Sequence, residues 1–347
     1  MSALALWFEA VRPRTLVLAV AGVALGVMLA GADGGVRWGT ATLTLATAVL
    51  LQVLSNLAND YGDSVHGADG QERVGPRRAV QSGRVTRKQM LGGVVLSAAL
   101  AALAGVSLVL SALATIGLPA AAAILALGLA ALWAAWAYTG SSRPYGYVGL
   151  GDAMVFLFFG PVAVLGTYYL QTGAFAAPHL PTAAALGLLA TAVLNVNNLR
   201  DLEGDRAAGK LTVPVRLGQG GGRTYHLALL AGAPLLALAA ALLDWRSPWQ
   251  LLFLVTLPLL AALQRRVATR AGAALDPLLK GTALAALAFA TLVGVGALLA
   301  SRHDRAAAGL AGGGAAATRP TLDVVRPAAD GKALPGAPEY AATSVEG

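Results

Sequence analysis

The chain has 347 residues, of which 57% are hydrophobic and only 12% charged, with 25 Lys and Arg against 17 Asp and Glu. An ordinary soluble domain carries about twice that share of charge, so the composition excludes a soluble enzyme and predicts an all-α integral membrane protein. The absence of cysteine excludes disulfides and thiolate metal sites. The net charge of +8 is not read as a nucleic-acid footprint, because the basic residues fall in short loops between apolar runs, where they report topology.

In chain order, apolar runs long enough to cross a hydrocarbon core of roughly 30 Å fall near 15–31, 40–58, 90–111, 117–138, 152–170, 181–199, 225–243, 248–263 and 280–300. That pattern predicts about nine transmembrane helices. The first run ends in Ala30-Gly31-Ala32, which also reads as a signal-peptide cleavage site. Its full spanning length favours a retained helix. Under nine crossings, 18 Lys and Arg fall on one side and only Arg37 and Arg246 on the other, outside the C-terminal tail. The bias places the amino terminus and the acidic loops in the cytoplasm and the carboxyl terminus outside, in a cell-membrane protein. Residues 1–301 form the membrane domain. Residues 302–347 turn to Gly, Ala, Pro and mixed charge and read as a disordered tail.

The second run ends in NLANDYGDSVHGAD, Asn56–Asp69, a concentration of carboxylates unusual for so apolar a chain. At helical pitch Asn56, Asn59, Asp60 and Asp63 share one face. Carboxylates that close repel unless a cation lies between them. With oxygen donors and no thiolate, the ion expected is Mg²⁺ rather than Zn²⁺. The sixth run ends in a related cluster, NLRDLEGDRAAGK, Asn198–Lys210. A shift of 142 positions lays Asn198 on Asn56, Asp201 on Asn59, Asp205 on Asp63 and Gly209 on Gly67. Two related halves are therefore expected, with both clusters on one membrane side, facing each other over a central cavity.

Asp60, Asp63, Asp201 and Asp205 are the predicted metal ligands. Mg²⁺ is commonly shared between carboxylates and substrate phosphates, so the substrate expected is a diphosphate. Lys210, Arg77, Arg78 and Arg143 would neutralise its leaving charge, although each Arg also reads as a topology charge. In a membrane the simplest such substrate is a polyprenyl diphosphate, and a dry apolar cavity would shield the allylic cation left behind. Asn56, Asn59 and Asn198 are substrate-binding candidates or interhelical hydrogen-bonders. Arg12 or Arg14 would bind an acceptor carboxylate bidentately, or anchor the interface. Tyr61 and Tyr145 are candidates to orient acceptor or diphosphate. A cation-coupled transporter also uses paired acids and internal repeats. Clustering of the acids at one face, beside basic groups, argues against it.

Four segments in order resemble the UbiA-type intramembrane prenyltransferases: NDYGD with GAD, RVGPRRAVQSGRVTRKQM, YTGSSRPYGYVGLGDAMVFLFFGPVAVLGTYYLQT, and NNLRDLEGDRAAGKLTVPVRLG. With the opening RPRTL (Arg12–Leu16), they are most similar to the branch that prenylates 1,4-dihydroxy-2-naphthoate. The resemblance covers about residues 8–300. It implies a nine-helix bundle around a cavity open laterally to lipid. It also implies Mg²⁺-dependent transfer of a polyprenyl group to 1,4-dihydroxy-2-naphthoate, with loss of CO₂, on the way to menaquinone. Other aromatic acceptors remain open on these grounds. Gly67 stands where the superfamily pattern places a further acid, and Asp69 follows two residues later. Asp69 has no counterpart in the second half, where Leu211 occupies the place. An asymmetric role for it, in the acceptor's half of the site or in ordering the basic loop, is the expectation.

Overall fold

A computed structural model describes residues 3–67, 75 and 78–311. Helices α1 (Ala3–Val11), α2 (Pro13–Asp33), α3 (Trp38–Val65) and α4 (Arg87–Ala137) are followed by α5 (Gly151–Leu157) and α6 (Ala163–Thr172). Then come α7 (Leu180–Arg200), α8 (Leu202–Ala207), α9 (Val213–Leu243), α10 (Leu257–Thr269) and α11 (Asp276–Ala311). Eight helical stretches among the described residues are long and apolar enough to cross a membrane.

The count becomes nine once α4 is read correctly. Its 51 residues would reach about 77 Å if straight, more than twice the hydrocarbon core. It breaks at Gly117 (φ 73, ψ 167), a backbone region closed to residues with a Cβ. Pro119 begins the next arm, where a missing N–H costs little. Val94 and Ala98 of the first arm pack in one cluster with Leu132 and Ala135 of the second, around Leu54 and Leu57 of α3. The chain therefore doubles back at Gly117, and residues 87–116 and 118–137 are separate crossings. Leu96, Leu103 and Leu110 of the first arm lie at seven-residue spacing and stay exposed, as a lipid-facing stripe requires.

The other expected spans appear with longer ends. α3 runs on to Val65, so Asp60 and Asp63 ride on the membrane helix itself. The seventh span begins at Val213, twelve positions before its apolar run, and bends at Gly218 (φ 72, ψ 174). The last helix continues to Ala311, so the expected boundary at residue 301 lies inside a helix. Of the expected tail, residues 302–347, the part from 312 onward lies outside the described residues, as do Asp69 and Arg77.

Close helix approaches use glycine. A Cβ on Gly22 of α2 would stand 2.7 Å from the Ala163 Cβ, and one on Gly26 would stand 2.6 Å from Thr167. Between α5 and α6 the residues Phe158–Val162 form one π-helical turn. Pro161 has no N–H to give Leu157, and the Ala163 N–H reaches back five residues to the Phe158 carbonyl. Gly160 of that turn lies against Gly187 of α7.

Replacing Gly117 with Ala forces a Cβ into the strained turn and should cost about 1–3 kcal/mol. Thermal unfolding of the detergent-solubilised protein would show it as a lowered midpoint.

Candidate active site

The ends of α2, α3, α4, α5 and α7 that carry the acidic clusters surround a cavity of about 330 Å³. Its polar end carries Arg12, Asn56, Asn59, Asp63, Arg78, Asn198, Asp201, Asp205 and Lys210. Its deeper walls are apolar, with Leu18, Leu51, Phe158, Phe159 and Val193 among them.

Asp63 is the hub. It is 1% exposed, on the last turns of α3. One carboxylate oxygen accepts from the Tyr147 hydroxyl at 2.7 Å and from the Lys210 ammonium at 3.0 Å, and the other pairs with Arg78. Lys210 also faces Asp205 at 3.7 Å and lies 4.7 Å above the centre of the Tyr147 ring. One ammonium thus bridges Asp63 and Asp205, the two positions superposed by the internal repeat. Its placement follows from local structure. Gly209 (φ +72) turns the chain after α8, the Lys210 N–H bonds the Asp205 carbonyl at 2.8 Å, and the Leu211 N–H bonds the Tyr147 carbonyl at 2.7 Å.

The halves differ in backbone. Asn56–Asp63 lie on one continuous helix, whereas Asp201 stands at the junction of α7 and α8. Asp201 is held by Arg200 through Nε and Nη2, at 3.0 and 2.6 Å. Arg200 is itself buried and also pairs with Asp276 of α11. Gly75, in the loop after α3, lies on that guanidinium.

The predicted residues separate into three groups. Asp63, Asp201, Asp205, Asn59, Asn198, Lys210, Arg78, Arg12, Asn56 and Tyr145 reach the cavity. Asn59 accepts from Thr139 at 2.9 Å, and Arg78 donates to the Asn59 carbonyl. Asn56 donates to the Val11 carbonyl and to Thr15, which fixes the α1–α2 junction where Arg12 takes a left-handed backbone. Asp60, a predicted ligand, is buried and accepts from the Ala79 amide at 3.2 Å, so it anchors the basic loop and does not line the cavity. Tyr61 stacks on Trp136, Arg14 pairs with Asp276 at 3.1 Å, and Arg143 is exposed, so none of the three lines the cavity.

Sequence reasoning missed Tyr147, Tyr138, Arg200 and Asp276. Arg200 was counted as a topology charge although it directly precedes Asp201. Asp276 is an isolated acid between Arg270 and Lys280, and that sign reversal in a basic segment is the signal that marked it.

The oxygen donors fit Mg²⁺. No three acidic or His side chains converge among the described residues. An ion here would take one or two carboxylates and complete its shell from water and phosphate, as Mg²⁺ commonly does. Lys210, lodged between two buried carboxylates, marks the place where positive charge is required.

The comparisons agree with this geometry. Residues 17–279 match the model of the UbiA prenyltransferase family, and the chain belongs to that family. It is 44% identical over 282 residues to the 1,4-dihydroxy-2-naphthoate octaprenyltransferase of Escherichia coli, spanning 81% of this chain and 91% of that one. The protein of the same name in Haemophilus influenzae is 45% identical over 264 residues, 74% of this chain and 84% of its own. The UbiA homolog from Archaeoglobus fulgidus, solved bound to DMAPP and Mg²⁺, shares the fold with a TM-score of 0.57 at 17% identity, over 85% of this chain and 99% of that one.

Burial pushes the Asp205 carboxyl up to about 6; Lys210 lowers it, and the nearby Asp201 and Asp63 raise it further. Because the folded value lies above the ordinary 3.8, folding disfavours the charged form. That cost is absent below about pH 4 and develops as pH rises through about 6. Asp205→Asn should therefore raise the unfolding temperature relative to wild type at pH 8 and leave it near wild type at pH 4. A pH series of thermal denaturation curves measures this.

Proposed function

We propose that the protein transfers a polyprenyl group from its diphosphate to 1,4-dihydroxy-2-naphthoate, with loss of CO₂, in menaquinone biosynthesis. The observation that carries the reading is the Lys210 bridge between Asp63 and Asp205, a cation site at the polar mouth of an apolar membrane cavity. The identity to relatives named for this reaction supports the acceptor.

Mg²⁺ held by Asp63, Asp205 and Asp201 would screen the diphosphate and favour its departure. Lys210 and Arg78 bind diphosphate oxygens and stabilise the charge that grows as the allylic C1–O bond breaks. Tyr147 holds Lys210 and Asp63 in register. The apolar walls keep water from the allylic cation. The ring carbon bearing the carboxylate supplies the electron pair of the new C–C bond. The C–CO₂ bond then breaks, its electron pair restores the aromatic ring, and the product is the prenylated naphthoquinol, the reduced form of demethylmenaquinone. Arg12, which lines the same cavity, would hold the acceptor carboxylate. Asp69 and Arg77 belong to the same reading through the loop that carries Arg78. The 18-to-2 bias of basic residues supports a cytoplasmic active site, a cytoplasmic amino terminus and an outer carboxyl terminus in the cell membrane.

Asp63→Ala and Asp205→Ala should each abolish prenyl transfer in purified membranes while the protein still inserts. EDTA should do the same to wild type, and Mg²⁺ should restore it. Mass spectrometry of the product from naphthoate and polyprenyl diphosphate reads both. Full activity in excess EDTA would remove the metal from the mechanism.

A further inference from the structure

The cations on the membrane side of the acidic clusters divide into two sets. Arg14, Arg78, Arg84, Arg200, Arg206 and Lys210 each face a carboxylate. Arg265, Arg266, Arg270 and Lys280 face none among the described residues, and all four are exposed. They stand together, at the close of α10 and the opening of α11. The one acid between Arg270 and Lys280 is Asp276, which is already committed to Arg14 and Arg200.

Contacts on both flanks hold this set in place. Arg270 ends α10 in an extended backbone (φ −110, ψ 160), and its carbonyl accepts from Nη2 of Arg223 on α9 at 2.8 Å. Gln264 of α10 donates in turn to the Arg223 carbonyl at 3.4 Å. The end of α10 is thus pinned to α9, and Arg223 adds a fifth positive charge behind it. On the other flank, a Cβ on Gly281 would stand 3.1 Å from the Leu263 side chain, so α11 runs against α10 at that level. Lys280 therefore emerges beside the turn of α10 that carries Arg266.

Two ordinary explanations fall short. Charge bias between loops sets topology, but it requires neither close grouping nor the lack of partners. The helix dipole favours cations at the carboxyl end of α10, but Lys280 lies near the amino end of α11, which gives no such support. Arg266 and Arg270 are moreover one turn apart, where like charges repel.

Deeper along both helices the surface becomes apolar. Leu259, two turns before Arg266 on α10, and Leu284, one turn after Lys280 on α11, are exposed. Their spacing keeps each on the face of the cation above it. Fixed cations over a lipid-facing apolar strip match the layering of an anionic phospholipid, with phosphate at the membrane surface and acyl chains beneath. Polybasic clusters at the ends of membrane helices attract such head groups.

We propose that the α10–α11 turn binds the phosphate head group of an anionic phospholipid through Arg265, Arg266, Arg270 and Lys280, with the acyl chains along Leu259 and Leu284. The site is separate from the polar mouth and does not depend on the reaction performed there. Asp276 connects the two, because the lipid sits on the turn whose acid holds Arg200 and, through it, Asp201.

Native mass spectrometry of the full-length protein purified in detergent tests this, with dioleoyl phosphatidylglycerol and dioleoyl phosphatidylcholine as probes. Wild type should retain phosphatidylglycerol at concentrations where phosphatidylcholine is lost. Replacing Arg265, Arg266, Arg270 and Lys280 together by Gln should weaken phosphatidylglycerol binding by about tenfold or more. The control pair Lys88→Gln and Arg206→Gln, also exposed cations of the same side, should leave it unchanged. Equal retention of the two lipids by wild type overturns the proposal, as does equal binding by the fourfold variant and the control pair. Should the fourfold variant fail to insert, wild type alone decides. Raising ammonium acetate from about 0.1 to about 1 M shortens the screening length from about 10 to about 3 Å and should weaken retention of phosphatidylglycerol. Retention indifferent to salt overturns the charge-based site. Glycerol 3-phosphate, which lacks the chains, should not displace the lipid at equal concentration. Displacement would make this a site for free phosphate and overturn the lipid.

Discussion

Everything at the polar mouth depends on keeping a charge on Asp63 inside a nearly dry protein. An isolated buried carboxylate is costly, and it is tolerated here because Arg78, Lys210 and Tyr147 reach it from three separate segments. Removal of any one partner leaves the others facing an undercompensated charge, so these side chains act as a unit. The same arrangement explains why the glycines are where they are. A Cβ on Gly62 would fall 2.3 Å from the Thr139 carbonyl oxygen. The end of α3 can press against the end of α4 only because that atom is missing, and the press delivers Asp63 to the cavity.

A second charge network backs the first. Arg200 joins Asp201 to Asp276, and Asp276 also holds Arg14. One end of each of α2, α7 and α11 is thereby tied together directly behind the second acidic cluster. Asp201 is consequently held on one side by a guanidinium while it presents to the cavity on the other. In this network Arg14 is structural, although its position in an Arg-Pro-Arg segment made it look equivalent to Arg12. The difference lies in a separation of two residues across the helix start and in the left-handed turn at Arg12, neither of which a charge pattern reports.

Much of the fold was legible because membrane constraints are strong. Apolar run length located the crossings, including the two that share α4, because 90–111 and 117–138 are each long enough to span alone. The register Asn56, Asn59, Asp63 and the offset to Asn198, Asp201, Asp205 also survived, because helical phase decides which side chains meet. Residue type alone did not give placement. Tyr61 and Arg143 had suitable chemistry, yet Tyr61 faces Trp136 and Arg143 faces outward. Asp60 had the right chemistry and nearly the right phase, but one residue along α3 is about 100° of rotation, enough to aim it at the Ala79 amide. Tyr147 went unseen because its partners, Asp63 and Lys210, lie 84 and 63 positions away in sequence.

The span between Asp63 and Lys210 has a consequence for biogenesis. The two are 147 residues apart, and at typical synthesis rates of about 5–20 residues per second the later one appears on the order of ten seconds after the earlier. During that interval α3 is made without the ammonium that balances its buried acid, and Asp276 is made later still. The acidic end of α3 must wait in contact with water or lipid headgroups, with only the adjacent basic loop to screen it. Closure of the polar mouth is therefore possible only once Lys210 has emerged, and its backing through Arg200 and Asp276 comes later, with the last membrane helix.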